Sequence, residues 1–322
     1  MIYTKILGTG KYVPKKTLTN NDLKEFVDTN DDWIYSRTGI KERHIVTNEG
    51  TLDLAYQAAL KAINSANINK NEIDLIIVAT VTSDFAFPGV ANLLQAKLEI
   101  EGIMAFDINA ACSGFIYAMQ IADKMIKSGS FNNALIIGAE TLSRLTDWRD
   151  RNTCVLFGDG AGAMIIGKSE TNQIIDIITG SKGDEDMLLY YKNADIKDPK
   201  INATSKQDHI HMKGNDVFKF ATRIMPKTVK SLLQRNKLNV DDINFFVAHQ
   251  ANSRIINKSA RDLGIKMDKM FMNIDKYGNT SAASVPIAID EAIEKGLINR
   301  GDLFITVAFG GGLTWAGALI KY

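Results

Sequence analysis

AALKAINSANINKNEIDLII, residues Ala58–Ile77, returns later in the chain in altered form as TVKSLLQRNKLNVDDINFFV, residues Thr228–Val247. Without a gap, each reads as helix, turn and strand. Ile73-Asp74-Leu75-Ile76-Ile77 falls opposite Ile243-Asn244-Phe245-Phe246-Val247. The agreement continues downstream. MAFDINAACSG (104–114) has a counterpart in MFMNIDKYGN (270–279), and both lead through small residues into a helix, IADKMIKSG (121–129) against AIDEAIEKG (288–296). CVLFGDGAGAMIIG (154–167) and LFITVAFGGGLTWAGALI (303–320) each predict strand, glycine turn, strand. Alternating strand and helix segments point to an α/β class. Their recurrence predicts a duplicated unit with halves at residues 1–170 and 171–322, whose pseudo-twofold relation sets equivalent loops side by side.

Composition narrows the function classes. The chain has 322 residues, more than one ordinary single core holds. Hydrophobic content of 45% and charged content of 23% fit a soluble globular protein. Its 38 Lys and Arg balance 37 Asp and Glu, so nothing global draws it to nucleic acid or acidic lipid, and any charged partner must be met locally. The two cysteines, Cys112 and Cys154, make neither a disulfide framework nor a metal-ligand pattern. The start, MIYTKILGTG, lacks signal-peptide character, and no apolar run approaches the ~18 residues that span a bilayer. A reduced, cytoplasmic protein without membrane contact is expected.

The chemistry centres on Met104–Gly129. Met104, Ala105, Phe106 and Ile108 predict a buried strand, followed by Cys112-Ser113-Gly114 and a helix. In that helix Phe115, Ala118, Met119, Ala122, Met125 and Ile126 share one face, while Gln120, Asp123, Lys124 and Lys127 form the other. A thiol at a helix N-terminus sits where the dipole favours thiolate. Alone, Cys112 reads as a quiet core thiol. The duplication supplies partners. His249, directly after the strand 243–248, and Asn279, in the counterpart of the Cys112 loop, are expected to face it. Singly these read as a core histidine and an N-cap; together on equivalent loops they point to a site. Phe309-Gly310-Gly311-Gly312 brings backbone N–H groups within reach of a ligand, or makes a tight hairpin.

Other features carry less. Gly158-Asp159-Gly160-Ala161-Gly162 lacks dinucleotide spacing and runs into a strand, so that reading is rejected. Cys154 reads as a core strand residue, His209 and His211 as alternating on a strand, and Lys41-Glu42-Arg43-His44 as a solvated polar segment. Residues 181–208 break the pattern and read equally as a lid-like excursion or a flexible insert.

Seven motifs in order, GTGKYVP (8–14), DTNDDWIYSRTGIKERHI (28–45), DINAACSGF (107–115), FGDGAGA (157–163), HQAN (249–252), YGNTSAAS (277–284) and FGGGLTW (309–315), make the chain resemble β-ketoacyl-acyl-carrier-protein synthase III, the initiating condensing enzyme of the thiolase superfamily. The resemblance runs nearly end to end. It implies a five-layered αβαβα fold, a homodimer and no cofactor or metal. It implies that Cys112 is acylated by a short acyl-CoA, that His249 and Asn279 stabilise the enolate of decarboxylating malonyl carrier protein, and that Cys112 and Gly311 N–H groups form the oxyanion hole. Trp33 and Arg151 would sandwich the CoA adenine, Arg37 meet its phosphates and Asn215 its pantetheine arm. Asn152 departs from the family's usual Gly there. Phe87 would reach the partner subunit's acyl pocket, with Leu142, Phe157 and Leu189 lining it. Lys219, Gln250, Arg254 and Lys258 would dock acyl carrier protein; Arg254, Lys258 and Arg261 share one helix face. Asn279 favours an initiating enzyme, with a secondary-metabolism ketosynthase as the alternative. The papain-type order Cys, His, Asn is set aside because AACSGF lacks that family's context. A non-catalytic acyl-CoA-binding module fits poorly with three retained site residues.

Overall fold

The structure, a computed structural model, describes residues 1–192 and 208–322. The first half runs through β1 (Tyr3–Tyr12), β2 (Thr17–Thr19), α1 (Asp31–Thr38), β3 (Glu42–His44), α2 (Thr51–Ala66) and β4 (Leu75–Ala79). It continues with α3 (Val90–Lys97), β5 (Met104–Ile108), α4 (Gly114–Lys127), β6 (Asn133–Thr141) and β7 (Asp159–Ser169). The second half comprises β8 (Ile174–Ser181), β9 (Leu189–Tyr190), β10 (His211–Met212), α5 (Gly214–Arg235), β11 (Phe245–Ala248) and α6 (Ser253–Leu263). It closes with β12 (Met270–Phe271), α7 (Ile274–Tyr277), α8 (Ser284–Glu294), β13 (Leu303–Gly310) and β14 (Thr314–Lys321).

The duplication is explicit in the sheets. One has the order β1-β7-β6-β4-β5 and the other β12-β11-β13-β14-β8, the same path read from opposite ends. The strand after each repeated helix, β4 or β11, is parallel to both neighbours. The hairpin strands β6–β7 and β13–β14 are antiparallel, as are the strands beyond them. Helices cover both faces, so β4 and β11 are buried along their whole length and carry continuous apolar runs.

Five layers follow from which face each helix buries. On one outside, α2 packs on β1, β6 and β7, with α3 beside it; on the other, α5 packs on β13 and β14, with α6 against α5. Between the sheets lie α4 and α8, each touching strands of both. Phe115, Met119 and Ile126 from α4 and Val285 and Ile289 from α8 are buried in one cluster with Ile77, Ile136, Phe304 and Ile320. Each such side chain contributes roughly 1.5–3 kcal/mol by leaving water. Close approach here depends on Gly138 in β6, where an added Cβ would lie 2.2 Å from the Ala282 carbonyl oxygen. The expected αβαβα architecture is the observed one.

Several local expectations fail for identifiable reasons. β5 is a strand, but it lies at a sheet edge, leaving Met104 47% exposed. Cys154 is buried in a turn, and the first strand expected in 154–167 does not form; β7 begins at Asp159 within the glycine run. Arg43 is not solvated but wholly buried, donating to the carbonyls of Leu18 and Val155 and to Asn20 Oδ1 at 2.9–3.0 Å. The neighbouring His44 is half-buried on the Pro14 carbonyl. Asp123 also turns inward, where it accepts from Thr4 and pairs with Lys127 at 2.8 Å. His211 sits in the two-residue strand β10 and bonds Asp208 at 2.8 Å, while His209 precedes that strand. The lid or insert expected over 181–208 falls largely at 193–207, outside the described residues.

Candidate active site

Two three-residue turns bring the halves together. Ala111–Ser113 precedes α4, Ser281–Ala283 precedes α8, and the turns pack against each other. Each begins with a non-glycine residue in the left-handed region, Ala111 at φ 46° and Ser281 at φ 48°. Such conformations cost free energy and persist only where surroundings enforce them. Here they turn each chain sharply from a strand-side loop into a central helix, leaving Cys112 at the seam.

The second half builds against that thiol. Gly310, extended at the end of β13, lies so near that an added Cβ would be 2.6 Å from the Cys112 amide nitrogen. Thr314 Oγ1, at the start of β14, donates to the Ala110 carbonyl at 3.0 Å. The glycine turn is therefore both a hairpin and a wall of the site, with Gly312 at φ 88°. Asn279 is held by the first half: its N–H donates to Leu156 O at 2.8 Å and its carbonyl accepts from Gly158 N–H at 3.0 Å. Its side-chain Oδ1 accepts from Ser281 N–H at 2.9 Å. That bond assigns the oxygen end of the amide and leaves the NH₂ end as a donor.

His249 follows β11 directly and donates its backbone N–H to Val307 O at 2.8 Å. The ring is buried edge-on to Phe309, with centroids 5.5 Å apart, and Nδ1 has no partner. Burial pushes its pKa down to about 3, so the ring is a neutral imidazole at ordinary pH. Burial also pushes the Cys112 thiol up to about 12; the Ser281 hydroxyl opposes this and the Glu140 charge adds to it. The expectation that the helix end favours thiolate is therefore corrected: desolvation outweighs the dipole.

A cavity of about 270 Å³ connects these groups to solvent. Cys112, His249, Asn279 and Gly310 form its buried end, while Trp33, Arg37, Arg151, Asn215 and Arg254 stand around its mouth. Arg37 and Arg151 both lie over the Trp33 ring, at 4.6 and 4.7 Å from its centroid. Asn152 also borders the cavity. A second chamber of about 460 Å³ opens from Cys112 and is lined by Leu142, Leu145, Phe157, Leu189, Ile210 and Gly311 among others.

The remaining residues divide. Arg254 and Lys219 are exposed near the mouth, Arg254 over Phe218 and Lys219 beside Asp216. Lys258 pairs with Asp262 at 2.8 Å. Gln250 cannot dock a protein as expected: it is 2% exposed, and its amide bonds Ala248 O, Phe271 O and Asn273 N–H inside the fold. Phe87 stands 87% exposed, away from both chambers. Sequence reading passed over Glu140, which is wholly buried behind Cys112 with its pKa raised by burial to about 7. A carboxylate closing the apolar run ALIIGAE was the available signal.

Known proteins share this fold. The family described as 3-oxoacyl-[acyl-carrier-protein (ACP)] synthase III matches residues 106–183, and its C-terminal counterpart matches 233–322. β-Ketoacyl-[acyl-carrier-protein] synthase III of Clostridium acetobutylicum is 49% identical, over 99% of this chain and 98% of that one. The crystal structure of the Aquifex aeolicus 3-oxoacyl-[acyl-carrier-protein] synthase III superposes with a TM-score of 0.93 at 49% identity, covering 99% of this chain and all of that one. The Thermus thermophilus synthase III superposes with a TM-score of 0.91 at 39% identity, covering 98% of each chain. Identity of this extent over essentially the full length, on the same doubled fold, makes the chain a member of the 3-oxoacyl-[acyl-carrier-protein] synthase III family.

Proposed function

We propose that Cys112 takes a short acyl group from acyl-CoA, acetyl-CoA being the simplest primer, and that His249 and Asn279 then direct its condensation with malonyl-ACP. The chain is an acyltransferase of the condensing type, a β-ketoacyl-ACP synthase III acting at the start of fatty acid synthesis. The observation that carries the residue assignment is the path itself. One cavity leads from an aromatic and basic mouth to Cys112, His249 and Asn279, and an apolar chamber continues from the same sulfur.

The chemistry follows from the side chains. Thiolate attack on the thioester places negative charge on its oxygen, where the Cys112 and Gly311 N–H groups act as donors, and CoA thiolate leaves. The acyl chain then lies along Leu142, Phe157 and Leu189. Loss of CO₂ from malonyl-ACP creates an enolate oxygen, which neutral His249 and the Asn279 NH₂ stabilise without adding a charge. The enolate carbon attacks the acyl-cysteine and the C–S bond breaks, giving 3-ketoacyl-ACP. Trp33 and Arg151 serve the adenine, which enters as Arg151 leaves the Trp33 face; Arg37 serves the phosphates and Asn215 the pantetheine. Arg254, Lys219 and Lys258 form the basic rim for acyl carrier protein. Exposed Phe87 and the free edge of β5 support a homodimer in which Phe87 closes the partner's chamber. Among the described residues no helix is long and apolar enough to cross a membrane; we place the enzyme in the cytoplasm.

Incubation with acetyl-CoA and malonyl-ACP, following CO₂, acetoacetyl-ACP and the mass of the protein, tests the reading. Cys112→Ala should abolish the acyl adduct and the product. Removing His249 or Asn279 by alanine substitution should preserve acylation but slow condensation by about 10²–10³-fold. A native enzyme that never gains an acyl group on Cys112 would sink the assignment.

A further inference from the structure

α5 spans 22 residues, and its periodicity gives it two unlike sides. Phe220, Ile224, Val229 and Leu232 are buried where the helix packs on β13 and β14. The side facing solvent carries Lys219, Arg223, Lys227 and Lys230, all exposed, and no acid interrupts residues 219–230. Lys219 lies between Phe218 and Phe220, which line the cavity leading to Cys112. From there the four cations extend about 16 Å along the helix, some three turns. Arg223, Lys227 and Lys230 border an open groove with Thr222, Gln234 and Asp262.

Elsewhere on the surface, helical charges at this spacing are of opposite sign. Lys127 pairs with Asp123, Lys258 with Asp262 and Lys295 with Glu291, each at i, i+4. Lys219, Arg223 and Lys227 repeat the spacing with like charges, which disfavours the helix. Lys219 has Asp216 at 2.9 Å, whereas among the described residues Arg223, Lys227 and Lys230 enter no ion pair. Asp262, the acid on the groove, is held by Lys258 at 2.8 Å. The helix dipole does not account for the row, because Arg223 and Lys227 stand mid-helix and the dipole acts within the last turn. Arg235, which is in that turn, is bound to Asp176 at 2.9 Å.

We propose that this ridge docks the body of the acyl carrier protein, which lies along α5 away from the cavity mouth while its arm enters beside Lys219. The inference rests on malonyl-ACP being the second substrate. Three observations select that occupant. Ridge and rim are continuous through Lys219. The exposed charge is of one sign over about three turns, the complement of an acidic helix laid alongside. A net charge of +1 gives the chain no general attraction for polyanions, so the strip acts locally. The rim meets the carrier where its arm leaves it and fixes register. Arg223, Lys227 and Lys230 act farther out, where cations without acidic partners speed encounter and hold the carrier's orientation.

Condensation with malonyl-ACP, compared with malonyl-pantetheine, which keeps the arm and lacks the protein, tests the ridge. Combining Arg223→Glu, Lys227→Glu and Lys230→Glu alters only exposed side chains. The triple variant should raise the KM for malonyl-ACP at least about tenfold at low salt, with the gap closing as salt is added. Its use of malonyl-pantetheine should stay within about twofold of native. Glutamine at the same three positions, which removes charge without reversing it, should give a smaller rise in the same direction. Zero-length carbodiimide coupling of the native enzyme to malonyl-ACP should join carrier carboxylates to Lys227 and Lys230, located by mass spectrometry. A native KM in the triple variant, no coupling at those lysines, or equal loss with both malonyl donors overturns the ridge and leaves the rim to be judged by Arg254→Glu. Ridge-dependent binding of duplex DNA with an unchanged KM for malonyl-ACP assigns the strip to another polyanion and overturns it too. A native enzyme that condenses malonyl-pantetheine but not malonyl-ACP overturns the second substrate itself, and the ridge with it.

Discussion

Glu140, wholly buried in β6, carries a thermodynamic signature. Its pKa is about 7 in the fold against 4.5 for an unperturbed glutamate, because burial penalises the charged form. The folded chain thus holds this proton more tightly than the unfolded one. The contribution is complete below pH 4.5 and is lost as pH rises through 7. A glutamine stays neutral and loses nothing. Glu140→Gln should therefore gain stability relative to the native chain between pH 5 and 8, by a difference on the order of 3 kcal/mol. Urea midpoints at the two pH values read this directly, and an unchanged difference would refute it. His249 acts on the acid side. Its folded pKa is depressed from 6.5 to about 3, so its contribution is present above 6.5 and declines as pH falls.

At the level of elements, the central layer fits because the strands beneath it lack side chains where helices begin. In Gly138→Ala the methyl would stand 2.2 Å from Ala282 O and 2.7 Å from its carbon, and backbone cannot swing aside as a side-chain tip can. We expect a loss of about 2 kcal/mol or more, seen as a lower denaturant midpoint with an unchanged slope. Much of this architecture was legible in the sequence, since helix–turn–strand repeats have strong periodicity and β4 and β11 carry uninterrupted apolar runs. What escaped was set by neighbours distant in sequence. Met104–Ile108 looks buried until the sheet order puts it at an edge. Arg43 looks solvated until the Leu18 and Val155 carbonyls close around it. Gln250, beside His249 in HQAN, looks available until its amide is found bonding backbone on three sides. Cys112, His249 and Asn279 were legible only as a set, because the duplication brings their loops together; Glu140 lies outside those loops and had only the apolar run it closes as a marker.

Over the whole molecule, near-neutral charge coexists with a basic rim beside the cavity mouth. Arg254 is exposed, lies over Phe218 and borders the cavity mouth, the position proposed above for carrier-protein docking. Arg254→Glu should raise the KM for malonyl-ACP about tenfold or more at low salt, with the gap narrowing as salt is added. Acylation by acetyl-CoA should change little, and an equal loss of both activities would count against docking.

The seating of the Cys112 amide against Gly310 sets an order of events during synthesis. Every residue of the nucleophile's own half leaves the ribosome before the glycine turn is made, and β14, the strand between β13 and β8, is translated after that turn. A nascent chain thus carries its sulfur long before it has the wall, the imidazole or the amide that would make that sulfur useful. The site proposed here is complete only when the β13–β14 hairpin has taken its place in the second sheet, with β13 at its middle.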